Sequence, residues 1–457
     1  AGRAALAAAA GAAAAQQVST GWGPRDIFRT CVSDWSNWTV AATPRKGLTL
    51  DDTTLQFCPS MIPEIWPNAQ EPVGSLRVFR AWARDWDPDD SMGHRLAAWR
   101  SLQRFVVANG AKILLGTQVT CHPEEDEADW QWVKELAQFL GAEHIMGLAV
   151  GNEMDLLYTK ARDDHSVTDA CVRSIWDGGA FWQQFELRVA EFDALGFGAV
   201  PVTNVFSAAA LGGDPFQEEP GKALVKSFLA NATRTYGQRY AFTFNHYSYF
   251  DPNLRLDPGT TSQCTEALSV AACWHHSCQT PRSMAEARYK IERLVRRRGS
   301  LYWIGETGWS SPQSRTLGTD MASCAAWSSR QTFRDFYEGF LAWDLNIPGY
   351  DPPDHVFYFA VHASLNFGLL EHFGLIDGCQ DQQCKLHSEN YSARLPPPAA
   401  DLAWRQWGFV GLGTVVVVSL GATAVYARMP DEWRGKRELG KAQDGYDGTS
   451  SSSGETS

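Results

Sequence analysis

Short apolar runs alternate with amphipathic stretches from about Gly21 to Leu395, the alternation expected of βα units on a parallel sheet. The runs Ser75–Ala83, Ala111–Thr120, His144–Glu153, Ala199–Ser207, Tyr240–Tyr249, Leu301–Glu306 and Asp354–His362 read as strands. Between them, Ser91–Asn109, Asp129–Leu140, Phe181–Leu195, Gly221–Thr235, Met284–Arg298 and Met321–Trp343 read as helices. In the first helix Leu96, Trp99, Leu102, Phe105 and Val106 recur at helical spacing. A first strand is expected near Lys46–Leu50. Eight such units in about 350 residues describe an α/β fold, a (β/α)8 TIM barrel with loop insertions. An open doubly wound sheet is the competing arrangement, but no G-x-G-x-x-G turn follows the early strands. The longest insertions, Met154–Gly179 and Asp251–Pro281, follow expected strands four and six at their carboxyl ends, where barrel sites form.

Outside this span the pattern changes. Residues 1–20 are Ala-rich and read as the remnant of a signal peptide or as a linker. Residues 21–395 form the barrel domain, and 396–407 a juxtamembrane linker. Residues 408–427 carry no charge and just reach the roughly 20 apolar residues of a membrane-spanning helix. A buried core helix is the alternative, but the stretch stands alone between a proline run and a polar tail. Trp404, Trp407 and Tyr426 flank it, and Arg428, Arg434, Lys436, Arg437 and Lys441 follow it. That asymmetry predicts a single-pass type I membrane protein, its barrel extracellular or lumenal and residues 428–457 a disordered cytosolic tail. The sequons at Asn37, Asn231 and Asn390 all precede residue 400, as glycosylation on that side requires.

A formal charge of −12 argues against a nucleic-acid partner, which needs a basic face, but not against a neutral polymer. The 19 Trp suit a protein that stacks sugar rings, although most of them are expected to fill the core. Ten cysteines fit disulfides in an oxidising compartment. Cys273 with Cys278 and Cys379 with Cys384 could each close a small loop. Cys273-Trp-His-His-Ser-Cys278 also admits a zinc reading, without a second ligand pair at the required spacing. No cofactor is implied.

Two glutamates end apolar strands: Glu153 closes Leu148-Ala-Val-Gly-Asn-Glu153, and Glu306 closes Tyr302-Trp-Ile-Gly-Glu306. A carboxylate at the end of a buried strand is costly unless it is paired or at work. Each alone could cap a helix or pair with an Arg. Together, on strands four and seven of a barrel, they converge across its mouth. Two carboxyls about 5 Å apart perform retaining glycoside hydrolysis.

Val150-Gly-Asn-Glu153 and Glu306-Thr-Gly-Trp-Ser-Ser311 resemble the acid/base and nucleophile motifs of glycoside hydrolase family 17, the endo-β-1,3-glucanases and β-1,3-glucan transglycosylases. Val205-Phe-Ser207, Asn245-His-Tyr-Ser-Tyr-Phe250 and Glu371-His-Phe-Gly-Leu375 resemble further segments of that family, in the same order. Arg80-Ala-Trp82 occupies the place of an Arg-Leu-Tyr segment. The resemblance implies Glu153 as general acid and then base, and Glu306 as nucleophile. It implies Asn152 on the sugar 2-hydroxyl, Tyr247 steadying Glu306, and Trp309 and Tyr249 as faces for sugar rings, although Tyr249 suits plain core packing equally. Arg80, Trp82 and Glu371 join the expected substrate-binding set, and β-glucan is the expected partner.

The sequence departs from the pattern after the last strand. Val361-His-Ala-Ser-Leu-Asn366 stands where the family carries an acidic and a basic residue that grip glucan. Three alternatives therefore stand beside hydrolysis of β-1,3-glucan: transglycosylation, a catalytically inactive membrane-tethered glucan binder, and action on β-1,4-linked glucan or mannan.

Overall fold

The computed structural model describes residues 39–82, 93–157, 167–212, 222–250, 261–296, 298–312, 324–364, 372–379 and 384–386. All lie in the first of two units into which the chain divides, Ala1–Leu395. Eight strands close into a parallel barrel in simple chain order. They are β1 (Lys46–Leu50), β2 (Ser75–Val78), β3 (Lys112–Thr117), β4 (Ile145–Asn152), β5 (Val202–Ser207), β6 (Phe242–Asn245), β7 (Tyr302–Thr307) and β8 (His355–Tyr358). β1 closes the ring by pairing with both β2 and β8. The expected strands are all present; β1 has the expected bounds, and most of the others are shorter at one or both ends.

Among the described residues the α-helices are α1 (Asp52–Phe57), α2 (His94–Asn109), α3 (Pro123–Leu140), α4 (Asp169–Trp176), α5 (Ala180–Phe192), α6 (Lys222–Tyr236), α7 (Thr261–Ala271), α8 (Gln279–Val295) and α9 (Arg330–Ala342). α3 starts six residues before its expected Asp129. Pro123 needs no amide partner in the first turn, and Glu124, Glu125 and Asp126 meet the positive end of the helix dipole. α9 starts at Arg330, after Ser329 caps it by accepting the Thr332 amide at 3.2 Å. α4 and α7 lie in the two insertions.

Side chains fill the barrel rather than leaving a pore. Leu114, Ala149, Val205, Ala241, Trp303 and Phe357 form a cluster of their own. Trp303 of β7 reaches across to β4, where a Cβ on Gly147 would sit 3.0 Å from its ring. The larger core lies between sheet and helices and holds most of the tryptophans.

Three disulfides tie loops that follow neighbouring strands. Cys58–Cys379 joins the loops after β1 and β8, Cys121–Cys171 those after β3 and β4, and Cys264–Cys324 those after β6 and β7. Cys273 bonds Cys278, so both sulfurs of the segment read for zinc are spent. Cys379 takes Cys58 and not the nearby Cys384, because β8 returns beside β1.

No helix of the described residues is long and apolar enough to cross a membrane. Residues 1–20, 396–407, 408–427 and 428–457, and the sequons at Asn37 and Asn390, lie outside the described residues. Asn231 lies on α6, where its Oδ1 accepts from Arg234.

Candidate active site

The sheet slips out of register at the carboxyl ends of the strands that bear the polar residues. Pairing shifts between Ala149 and Asn152 on β4, between Phe244 and Asn245 on β6, and between Ile304 and Thr307 on β7. Irregularities of this kind re-aim side chains that a regular ladder would leave facing its neighbours. Here Asn152, Glu153, Asn245 and Glu306 converge above the packed interior.

Arg77, in the middle of β2, links them. Its Nη1 donates to Glu306 Oε1 at 2.8 Å and to Asn245 Oδ1 at 3.2 Å. Its Nη2 donates to Asn152 Oδ1 at 2.7 Å. The guanidinium lies 4.4 Å from the Phe79 ring centre, so an aromatic face covers a charge that water no longer reaches. Gly305 permits this closeness. A Cβ there would meet Asn245 Oδ1 at 2.6 Å and Arg77 Nη1 at 2.8 Å.

Asn245 spans the two carboxyls. Its Nδ2 donates to Glu306 Oε1 at 2.9 Å and to Glu153 Oε1 at 3.0 Å. Two oxygens on one nitrogen at those distances stand no more than about 6 Å apart, so both carboxyls lie within reach of one glycosidic bond. Tyr247 Oη donates to the other oxygen of Glu306 at 2.7 Å.

The carboxyls differ in environment. Glu306 is 7% exposed and receives hydrogen bonds from Arg77, Asn245 and Tyr247. Burial pushes its carboxyl above the ordinary range; Arg77 opposes this, Glu153 adds to it, and the bonds from Tyr247 and Asn245 oppose it. Glu153 is half-buried beside exposed Asn152. Its backbone is left-handed, with φ 51° and ψ 39°. With its Oδ1 held by Arg77, Asn152 keeps its NH2 as a donor. The arrangement offers a buried carboxylate held by three donors and a second, accessible carboxyl on the same face.

Arg77 and Asn245 were not among the expected site residues. Asn245 opens the Asn245-His-Tyr-Ser-Tyr-Phe250 segment already singled out, but it lies mid-run in the expected strand Tyr240–Tyr249, and only the structure ends β6 there. Arg77 interrupts an apolar strand, but so does Arg80, and motif position alone favoured Arg80.

Several expected residues are elsewhere. Tyr249 and Trp309 are both 0% exposed, so neither offers a face to a sugar. Their rings pack edge to face at 5.3 Å, and the Trp309 indole donates to the Trp327 carbonyl. Trp82 is likewise buried. Arg80 lies beyond the end of β2, 3.9 Å from Asp129, and does not join the carboxyl pair. Glu371 and Asn366 lie outside the described residues.

The segment after β8, where the family's glucan-gripping pair was expected to be missing, is bound inward. Asp51 Oδ2 accepts from the His362 amide at 2.6 Å, and Thr54 Oγ1 lies 2.6 Å from His362 Nδ1. Ser364 Oγ donates to Asp52 at 2.7 Å, and Thr53 Oγ1 to the Ala363 carbonyl at 2.9 Å. These side chains join β8 to β1 instead of facing the cleft.

No protein-family profile matches the chain, and no curated protein does. Among solved structures it is similar to one of two plant β-glucan endohydrolases with distinct substrate specificities, at 15% identity and TM-score 0.47 over 76% of this chain and 100% of that one. It is also similar to a family 1 β-glucosidase from Thermotoga maritima, at 11% identity and TM-score 0.43 over 74% and 94%. A psychrophilic family 10 endo-β-1,4-xylanase matches at 12% identity and TM-score 0.37 over 83% and 98%. Likenesses this distant decide nothing about activity, which has to be read from the site.

Proposed function

We propose that the chain is a retaining β-glycoside hydrolase that cleaves β-1,3-linked glucan through a covalent glycosyl-enzyme intermediate. The observation that carries the reading is the Asn245 amide, which holds Glu153 and Glu306 at the spacing of a nucleophile and an acid. Glu306 attacks the anomeric carbon as the glycosidic C–O bond breaks, and Glu153 gives its proton to the leaving oxygen. Water then enters, Glu153 takes a proton from it, and the new oxygen–carbon bond displaces Glu306. Arg77 and Tyr247 hold Glu306 as the anion that attacks. Asn152 NH2 is the donor for the sugar 2-hydroxyl. The 1,3 linkage is taken from the motif resemblance around Glu153 and Glu306.

The test is the full chain on a panel of β-1,3-, β-1,4- and mixed-linkage glucans, with product anomers followed by NMR. The expected result is cleavage of the 1,3-linked polymer with β-anomer formed first, abolished in Glu306→Gln. Formation of α-anomer first, or normal turnover by that variant, sinks the proposal.

We place the barrel on the extracellular or lumenal side, tethered through residues 408–427. Its disulfides support an oxidising compartment. In sealed microsomal vesicles, added protease is expected to remove residues 428–457 and to leave the glycosylated barrel protected inside.

A further inference from the structure

We infer that Asp155 is a positioning residue for Glu153, and that its bond to Ser207 sets the direction in which Glu153 delivers a proton. The inference rests on the reading of Glu153 as the acid.

Glu153 holds a left-handed backbone conformation that is unfavourable for a residue with a side chain. Such a conformation persists only where its surroundings impose it. Before it, Gly151 turns at φ 78°, and a Cβ there would sit 3.0 Å from Met154 Cγ. Glu153 itself donates its amide to the Val205 carbonyl at 2.8 Å and accepts from the Leu156 amide at 2.9 Å. After it comes the one-turn 3-10 helix Met154–Leu156. Two bonds fix that turn from outside. The Trp176 indole donates to the Met154 carbonyl at 3.0 Å. Asp155 takes the other, and it is the stronger anchor because it is charged and double.

Asp155 is 4% exposed. Its Oδ1 accepts the Ser207 amide at 3.0 Å, and its Oδ2 accepts the Ser207 hydroxyl at 2.5 Å. Ser207 is the last residue of β5, the strand that also receives the Glu153 amide. The turn carrying Glu153 is therefore tied to β5 on both sides of the glutamate. A buried carboxylate of this kind is costly. Its geometric effect is to leave the Glu153 side chain one approach to the cleft, beneath the Asn245 amide.

The experiment compares full-length wild type, Asp155→Ala, Asp155→Asn and Ser207→Ala on two kinds of substrate. Laminarin has a poor leaving group and needs the acid. A 2,4-dinitrophenyl β-laminaribioside leaves without protonation. We expect Asp155→Ala to lower kcat/KM, which reports formation of the glycosyl-enzyme, about 10²-fold on laminarin, the lower end of what a general acid contributes, with kcat/KM on the dinitrophenyl substrate within about threefold of wild type. Asp155→Asn keeps an acceptor for the Ser207 amide and is expected to recover most of the loss. If Asp155→Ala does not fold, Ser207→Ala removes one of the two bonds and should show the same split at smaller size. Equal losses on both substrates, or no loss on laminarin, overturn the inference while the proposed function stands. A wild-type chain that cleaves neither substrate overturns both.

Discussion

Two clusters of buried polar groups sit at the mouth of this barrel. One gathers Arg77, Asn152, Glu153, Asn245 and Glu306 from β2, β4, β6 and β7. The other gathers Asp51, Thr54 and His362 where β8 meets β1. Both are rich in charge and both sit at strand carboxyl ends. They differ in where their hydrogen-bonding capacity points. In the β8–β1 cluster the Asp51 carboxylate is consumed by the Thr54 amide, the Thr54 hydroxyl and the His362 amide. The Cys58–Cys379 bridge closes over the same junction. In the first cluster Asn152 is exposed and Glu153 half-buried, so donor and acceptor both face the cleft. Position at the barrel mouth does not make a site; capacity left for a ligand does.

The comparison breaks most directly at Arg77. Arg77→Met removes the charge that holds Glu306 as an anion and releases Asn152. We expect kcat to fall roughly 10²–10³-fold, the loss usual when one preorganised donor is removed. Steady-state kinetics on laminarin checks it, and a loss below tenfold would break the distinction between the clusters. Gly305→Ala should follow with about a 10²-fold loss, because its methyl must displace Asn245 or Arg77 by a few tenths of an ångström or more. A normal pH–rate profile in that variant would show that the two carboxyls tolerate displacement.

Asp51→Ala should act on the fold and spare the reaction. It strands the Thr54 and His362 amides, at about 1–3 kcal/mol for each unsatisfied group. Urea unfolding with an unchanged slope should report the loss, while kcat stays within about twofold of wild type.

The smallest effect is expected from pH between about 4 and 6, where buried groups oppose one another. His246, His355 and His362 are lowered to about 3 by burial. The unfolded chain therefore takes up protons below pH 6.5 that the folded chain refuses, and stability falls with falling pH. Burial raises Asp51 to about 7 and Asp129 and Asp155 to about 6. There the folded chain keeps protons the unfolded chain loses, and stability falls with rising pH. Burial raises the Asp126 and Glu306 carboxyls as well, so the opposing contributions cancel in large part and the slope between pH 4 and 6 is shallow. Below about pH 4 the unfolded chain's carboxyls are protonated as well, the aspartate contribution fades, and the histidines make stability fall with falling pH until they too are protonated in the folded chain near pH 3. Urea midpoints across pH 3–7 check the shape, and a steep slope between 4 and 6 contradicts it.

Much of the architecture was legible in the chain itself. The period of apolar positions located seven strands in order, and the first strand, expected near Lys46–Leu50 to complete the barrel, lies there. Glu153 and Glu306 were visible because a carboxylate ending an apolar run has few reasons to be there. Pattern alone could not separate Arg77 from Arg80, since strands buried on both faces give no alternation to read. The ladder of β2 stops at Val78, which leaves Arg77 inside the barrel and Arg80 beyond it. Tyr249 and Trp309 mark the same limit: an aromatic ring suits a core as well as a sugar, and only burial distinguishes the two.

Local sequence thus determined the elements and their order, because those depend on neighbours a few residues away. Tertiary structure decided which polar groups share a face and which are spent. The Asn245 amide reaches both glutamates because register shifts on β4 and β6 turn the strand ends toward one another. Cys58 finds Cys379 across 321 residues because the barrel closes. Contacts of that separation depend on strand pairing around the whole ring, and no short stretch of sequence specifies them.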